Sequence, residues 1–149
     1  MSIVVRRANA GDLEALVPLF DAYRQFYRHP SDPGLARRFL LERLERGESA
    51  IFLAADAAGA ALGFTQLYPS FSSGAAAPIL ILNDLYVTPA ARRMGAARIL
   101  LHAAAAYGRE QGAVRLTLST EVANLAAQAL YESEGWKKQE EFFVYNLAL

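Results

Sequence analysis

Residues 79–119 limit what this chain can fold into more than any other stretch. "ILILNDLYV" (79–87) is apolar nearly throughout, as suits a central strand covered on both faces. A proline, two arginines and a glycine follow. Residues 95–111 then read as a helix that Gly112 ends. "VRLTLS" (114–119) alternates and reads as a strand. Two strands joined through one helix normally lie parallel in one sheet, with a right-handed crossover.

The flanking segments add antiparallel strands and further helices. Residues 3–7 read as a short strand. "NAGD" offers Asn9 as an N-cap with Asp12 three residues on. Leu13, Leu16, Val17, Phe20 and Tyr23 recur at helical spacing, and Pro18 inside that pattern predicts a bend or irregular turn. "RHPSDPG" breaks the helix. A second helix starts near Pro33 with Ser31 or Asp32 as cap, and Gly47 stops it. "AIFLAAD", "AAGA" and "ALGFTQLYPS" read as a hairpin, "SFSSGAAAP" as a loop. Residues 124–133 form a short helix closed by Gly135, and "KKQEEFFVYNLAL" reads as a final strand or pair of strands. The expected class is α/β (α+β): a mixed, mostly antiparallel central sheet with one parallel pair and helices on both faces. No internal repeat or linker interrupts it, so one domain over residues 1–149 is expected.

Several function classes fall away. The formal net charge is zero, which gives no long-range attraction to nucleic acid. The chain has no cysteine, so thiolate nucleophiles and cysteine-ligated zinc are excluded, and His29 and His102 form no metal motif. His102, in the alanine-rich helix, reads as structural or exposed. The opening residues turn polar too soon for a signal peptide, and no apolar run approaches the roughly 20 residues of a membrane helix. A cytoplasmic protein with no membrane partner and no metal is expected.

"RRMGAA" (92–97) sits where the central strand hands over to the crossover helix. A helix start carries unpaired N–H groups and the positive end of the macrodipole, and anions bind there. Arg92 and Arg93 add charge, and Gly95 lets a ligand approach the backbone. Ligands in open α/β sheets favour the carboxyl ends of parallel strands. A plain surface turn with solvated arginines is the competing reading. The absence of G-x-G-x-x-G and G-K-[ST] excludes the common nucleotide motifs of similar form.

With these residues in place, the chain resembles the GCN5-related N-acetyltransferases (GNAT). Their signature, Arg/Gln-x-x-Gly-x-Gly/Ala, is met by Arg92, Gly95 and Ala97 within "LNDLYVTPAARRMGAARILL". The resemblance covers almost the whole chain and implies an acyl-CoA N-acyltransferase fold with acetyl-CoA (coenzyme A) as donor. It implies that backbone N–H groups of Arg92, Arg93, Met94, Gly95, Ala96 and Ala97 hold the pyrophosphate. It places Leu85, Tyr86 and Val87 beside the pantetheine arm, with an N–H near Val87 as oxyanion donor. Ala97 stands where many members have glycine, which leaves slightly less room.

Asn124 and Tyr131, seven residues apart, share a helix face roughly 10 Å apart along the axis. Read alone, Asn124 is an N-cap and Tyr131 a core aromatic. The resemblance gives Asn124 a hydrogen bond to the pantetheine. It makes Tyr131 the donor of a proton to the departing thiolate, a phenol being protonated at neutral pH.

The acceptor amine must lose a proton before attack. Asp84, Glu121 and Glu141 are the candidate bases, and Asp84 lies in the strand flanking the acetyl group. Strand alternation predicts that Asn83 and Asp84 point to opposite faces. Asp84 is otherwise a structural carboxylate, and a water chain is the alternative to a single base. Tyr23, Phe26, Tyr27, Asp32, Tyr68 and Phe71 are candidates for the acceptor site, with Tyr27, Tyr68 and Asn83 foremost. The competing reading puts most of these aromatics in the core. The expected reaction is direct acetyl transfer to a primary amine, of a small molecule (polyamine or amino-acid-like) or of a protein lysine. A non-catalytic acyl-CoA-binding regulatory module on the same fold is the alternative. "EEFFVYNLAL", rich in aromatic and apolar residues, is suited to pairing with a second copy, so a homodimer is expected.

Overall fold

The computed structural model describes residues 2–149, in two compact units that divide after Leu118. The first contains β1 (Ile3–Arg7), α1 (Leu13–Phe26), α2 (Pro33–Glu45), β2 (Ala50–Asp56), β3 (Ala61–Ser72), β4 (Ala77–Val87), α3 (Ala96–Glu110) and β5 (Leu116–Thr117). The sheet order is β1-β2-β3-β4-β5, antiparallel except for the parallel pair β4–β5. The second unit contains α4 (Leu125–Ser133).

Local chemistry sets the helix starts. Asn9 accepts from Gly11 N–H at 2.8 Å while Asp12 accepts from Asn9 N–H at 2.9 Å, a capping box on the 3₁₀ turn that runs into α1. Arg6 clasps the same Asp12 carboxylate through both terminal nitrogens. Asp32, not Ser31, caps α2, accepting from Leu35 N–H at 3.1 Å. Ser31 instead donates to Asp21, a buried carboxylate that also takes Gln25 Nε2 and the Asp32 N–H. The Ser31 and Asp32 bonds tie the loop between α1 and α2 to α1. Pro18 removes one N–H, yet α1 runs unbroken past it, because Leu13, Leu16, Val17, Leu19 and Phe20 keep one face buried.

Strand alternation divides the core. Ile51 and Leu53 of β2 and Phe64 of β3 pack with Leu16, Phe20 and Leu40 of α1 and α2. Phe52, pointing the other way, meets Tyr107 of α3 at 5.6 Å, and Arg7 lies 4.8 Å over the same ring. Helices therefore cover both faces, as expected. Full burial of each large apolar side chain contributes about 1.5–3 kcal/mol.

Three expectations need correction. The loop expected over "SFSSGAAAP" is a tight turn of residues 73–76, because β3 and β4 pair as far as Ser72 and Ala77. The strand expected over 114–119 is reduced to Leu116–Thr117, because β5 keeps its ladder with β4 only opposite Leu80 and Ile81. Residues 137–149 form no strand. Phe142, Phe143, Val144 and Tyr145 are exposed, and no strand among the described residues supplies the ladder they would need.

Candidate active site

The first unit's candidate site begins where β5 leaves β4. Below that point the two strands are bonded, with Val114 N–H to Pro78 O at 3.0 Å and Leu80 N–H to Arg115 O at 3.2 Å. From Leu82 to Val87, β4 pairs only with β3, and its other edge has no partner strand among the described residues. Leu85, Tyr86 and Val87 therefore have no strand partner on one side, where the Val87 carbonyl is taken by Arg92 Nε. That is the requirement for an extended chain lying alongside them as an added strand.

The β3–β4 register shifts at the same level: Gln66 faces Asp84, but Leu67 faces Leu82, so Asn83 is a bulge. This corrects the alternation expected for Asn83 and Asp84. Both side chains line one cavity, and Asn83 Nδ2 donates to Asp84 Oδ1 at 2.9 Å. Tyr23 of α1 holds the bulge, donating its hydroxyl to Asn83 O at 3.1 Å.

Asp84 is 2% exposed. Gln66 Nε2 donates to its Oδ2 at 2.5 Å, and Thr65 Oγ1 donates to its backbone carbonyl at 2.8 Å. Burial pushes the Asp84 carboxyl above the ordinary carboxylate range, while hydrogen bonds from Asn83 and Gln66 pull it back part of the way. Burial raises the Tyr23 and Tyr68 phenols as well, and the Asp84 charge adds to both shifts, so both remain protonated at neutral pH. A buried carboxylate with a raised pKa in a cavity is a suitable proton acceptor for an ammonium group.

The cavity measures ≈ 480 Å³ and is roofed by α1 and α2. Tyr27, Tyr68 and Asn83, chosen from sequence, all line it with Asp84. Tyr23 lines it too; Phe26 is exposed and does not, and Asp32 is occupied as a helix cap. Phe71 belongs to a different cavity, on the α3 side. Sequence reasoning missed Arg24 and Gln66. Arg24 follows Tyr23 on α1 and lines the cavity, and helical spacing carried no signal for it, because consecutive helical residues point to different faces. Gln66 carried no signal, because its role depends on which residue of β4 stands opposite.

The turn before α3 leaves its helix start without a side-chain cap. Arg92 folds back, its Nε donating to Val87 O at 3.1 Å and its guanidinium lying 5.8 Å over the Tyr86 ring. Its side chain thus braces the end of β4. Arg93 has φ +67 and Gly95 φ +87, so the backbone turns twice through left-handed conformations before the helix. A Cβ on Gly95 would meet nothing within 4 Å, so the space above the turn is open. Met94 is partly exposed, Ala96 is buried and Ala97 half-buried. Uncapped N–H groups facing open space fit a diphosphate, and the free edge of β4 fits the arm of the acyl-coenzyme A implied by the motif.

In the second unit, Asn124 is an N-cap, its side chain accepting from Ala127 N–H at 3.2 Å. Tyr131 sits two turns along the same helix, with its ring 6.0 Å from Trp136. Gln128 Nε2 donates to Val122 O at 2.9 Å and fixes the approach to the helix. Glu121 and Glu141 also belong to this unit.

Comparison with known proteins agrees with this geometry. The model of the Acetyltransferase (GNAT) family matches residues 16–136. An uncharacterized N-acetyltransferase of Bacillus subtilis (YhfO) is 48% identical over 143 residues, covering 96% of this chain and 95% of the relative. An aminoglycoside N(6')-acetyltransferase type 1 of Stenotrophomonas maltophilia is 29% identical over 113 residues, 74% of each chain. The crystal structure of a probable acetyltransferase superposes with a TM-score of 0.91 at 46% identity, over 100% of this chain and 98% of the other.

Proposed function

From the premise that the chain belongs to the acetyltransferase (GNAT) family, N-acetyltransferases that draw on acetyl-CoA, we propose that it acetylates a primary amine of a small molecule by direct transfer. The observation that carries the reading is the buried Asp84 beside the unpaired edge of β4, in one cavity with Tyr27, Tyr68 and Asn83. An aromatic lining around a single carboxylate supports a small amine as acceptor.

When bound, acetyl-CoA supplies an electrophilic carbonyl and a thiolate leaving group. The amides of residues 92–97 receive the pyrophosphate, and the edge of Leu85–Val87 aligns the arm. Asp84 takes the proton that the acceptor ammonium must lose, which frees the nitrogen lone pair to form the C–N bond. Tyr131, by the role that the family resemblance implies, would supply a proton to the departing thiolate. The second proton lost from nitrogen restores the phenol, and Asp84 returns the first to solvent. Asn124 keeps the pantetheine contact that the motif assigns to it. The family match runs through both units, which supports one acetyltransferase domain over residues 1–149. The exposed Phe142, Phe143 and Val144 support a homodimer in which this segment finds its strand partner. A cytoplasmic location follows the donor; among the described residues no helix is long and apolar enough to cross a membrane.

The test is thiol release from acetyl-CoA across a mixed amine panel, with calorimetry for CoA binding. Amine-dependent release abolished by Asp84→Asn supports the reading. Tight CoA binding without amine-dependent release from any acceptor overturns it.

A further inference from the structure

Resting on that reading, we propose that the acceptor carries a carboxylate on the same molecule as its amine, and that Arg24 is the residue that selects it. Arg24 and Asp84 line one cavity from different elements, α1 and β4. The Arg24 side chain makes no hydrogen bond or ion pair among the described residues, and its Nη1 is buried without a partner. A guanidinium has five donors in a planar fork that matches a carboxylate in a two-point bond. Leaving such donors unmatched in a cavity wall is unfavourable unless a ligand completes them.

The nearby arginines show the contrast. Arg43 bonds Glu42 and Glu48, and Arg37 bonds Glu14. The carboxylate nearest to Arg24 in sequence, Asp21, is already occupied by Gln25, Ser31 and the Asp32 N–H. Arg24 alone among these is left for something that enters the cavity.

The same arrangement disfavours a polycation. A polyamine or an aminoglycoside brings further positive charge into the cavity beside Arg24. Here Asp84 is the cavity's one carboxylate, and Arg24 offsets its charge. An amino-carboxylate matches both signs, with its amine toward Asp84 and its carboxylate toward Arg24. Phe20, Tyr23, Tyr27 and Phe39 give the remainder of the molecule apolar and aromatic surroundings.

The experiment compares matched acceptors that differ by the carboxylate: L-phenylalanine with 2-phenylethylamine, L-lysine with cadaverine, 6-aminohexanoate with hexylamine, and dipeptides with their C-terminal amides. Spermidine and kanamycin represent polycations. The parent enzyme should favour the carboxylate member of the productive pairs by about 10–100-fold in kcat/KM, the range for hydrogen bonds to a charged group. Arg24→Gln should collapse that ratio toward one, and Arg24→Lys should restore part of it. Comparable kcat/KM within pairs in the parent, a preference for spermidine or kanamycin, or an equal loss for both members in Arg24→Gln would overturn the proposal and leave acetyl transfer standing. No thiol release with any acceptor, despite CoA binding, would instead sink the acetyltransferase reading and this proposal with it. The comparison within the parent needs no variant, so a misfolded Arg24→Gln does not remove the test.

Discussion

Asn83 and Asp84, neighbours in β4, turn their side chains into the same cavity and bond to each other at 2.9 Å. A regular strand sends neighbours to opposite faces. The bulge opposite Gln66 and Leu67 removes that alternation, and it does so where β4 loses β5. The carboxylate is thereby held in the stretch of β4 that has no second strand partner among the described residues.

Asp84 should set the acid limb of the pH–rate profile. Its carboxyl is raised by burial, so activity should rise as pH passes through that raised value. Asp84→Asn should remove the limb and lower kcat by about 10²–10⁴-fold. Gln66→Leu removes a donor that stabilises the charged form, so it should move the limb to higher pH. Profiles of kcat/KM for the three proteins check this, and an unshifted limb in Gln66→Leu would count against Asp84.

The same shift predicts a stability effect. Because the folded carboxyl titrates above its unfolded value of about 3.9, the native state holds this proton more tightly. The stability it contributes is full below the unfolded value and is lost as pH rises through the folded one. Asp84→Asn cannot ionise, so its Tm relative to the parent should rise across that window and level off above it. Thermal unfolding of both proteins from pH 4 to pH 8 reads the difference.

Gly95→Ala should separate backbone strain from ligand contact. The added Cβ meets no protein atom, but φ +87 disfavours any side chain by about 1–2 kcal/mol. A modest loss in urea denaturation is expected. A methyl group at the mouth of the α3 turn should also raise KM for acetyl-CoA by a larger factor than the acceptor KM.

Gly63 is required for a different reason. A Cβ there would lie 2.5 Å from Tyr86 O, so Gly63→Ala must push β4 away from β3. A loss of about 1–3 kcal/mol is expected. Because Tyr86 belongs to the free edge, KM for acetyl-CoA should rise as well. Denaturation and steady-state kinetics on one preparation measure both.

Tyr131→Phe keeps the ring contact with Trp136 and removes only the hydroxyl. It should lower kcat by about 10²–10⁴-fold while CoA binding by calorimetry stays close to the parent. An unchanged kcat would remove Tyr131 from the proton inventory.

The sequence by itself determined the elements whose signals are local. Asn9 as a cap, the β2–β3 hairpin, the parallel pair and the turn at Gly95 were all legible, because capping, turn conformation and crossover handedness depend on residues close in the chain. The aromatic residues Tyr27 and Tyr68 were legible as acceptor-site candidates because aromatics in the first helices and the hairpin suit a cationic amine, and both line the cavity. Tertiary structure alone decided the rest. Whether Asn83 and Asp84 share a face depends on a register shift against Gln66 and Leu67, and register is a property of two strands together. How far β5 follows β4, and whether residues 137–149 become a strand, depend on a partner edge that no local pattern encodes. Arg24 shows the same limit in electrostatics. Its charge is visible in the sequence, but only the fold shows that no carboxylate of the described residues answers it.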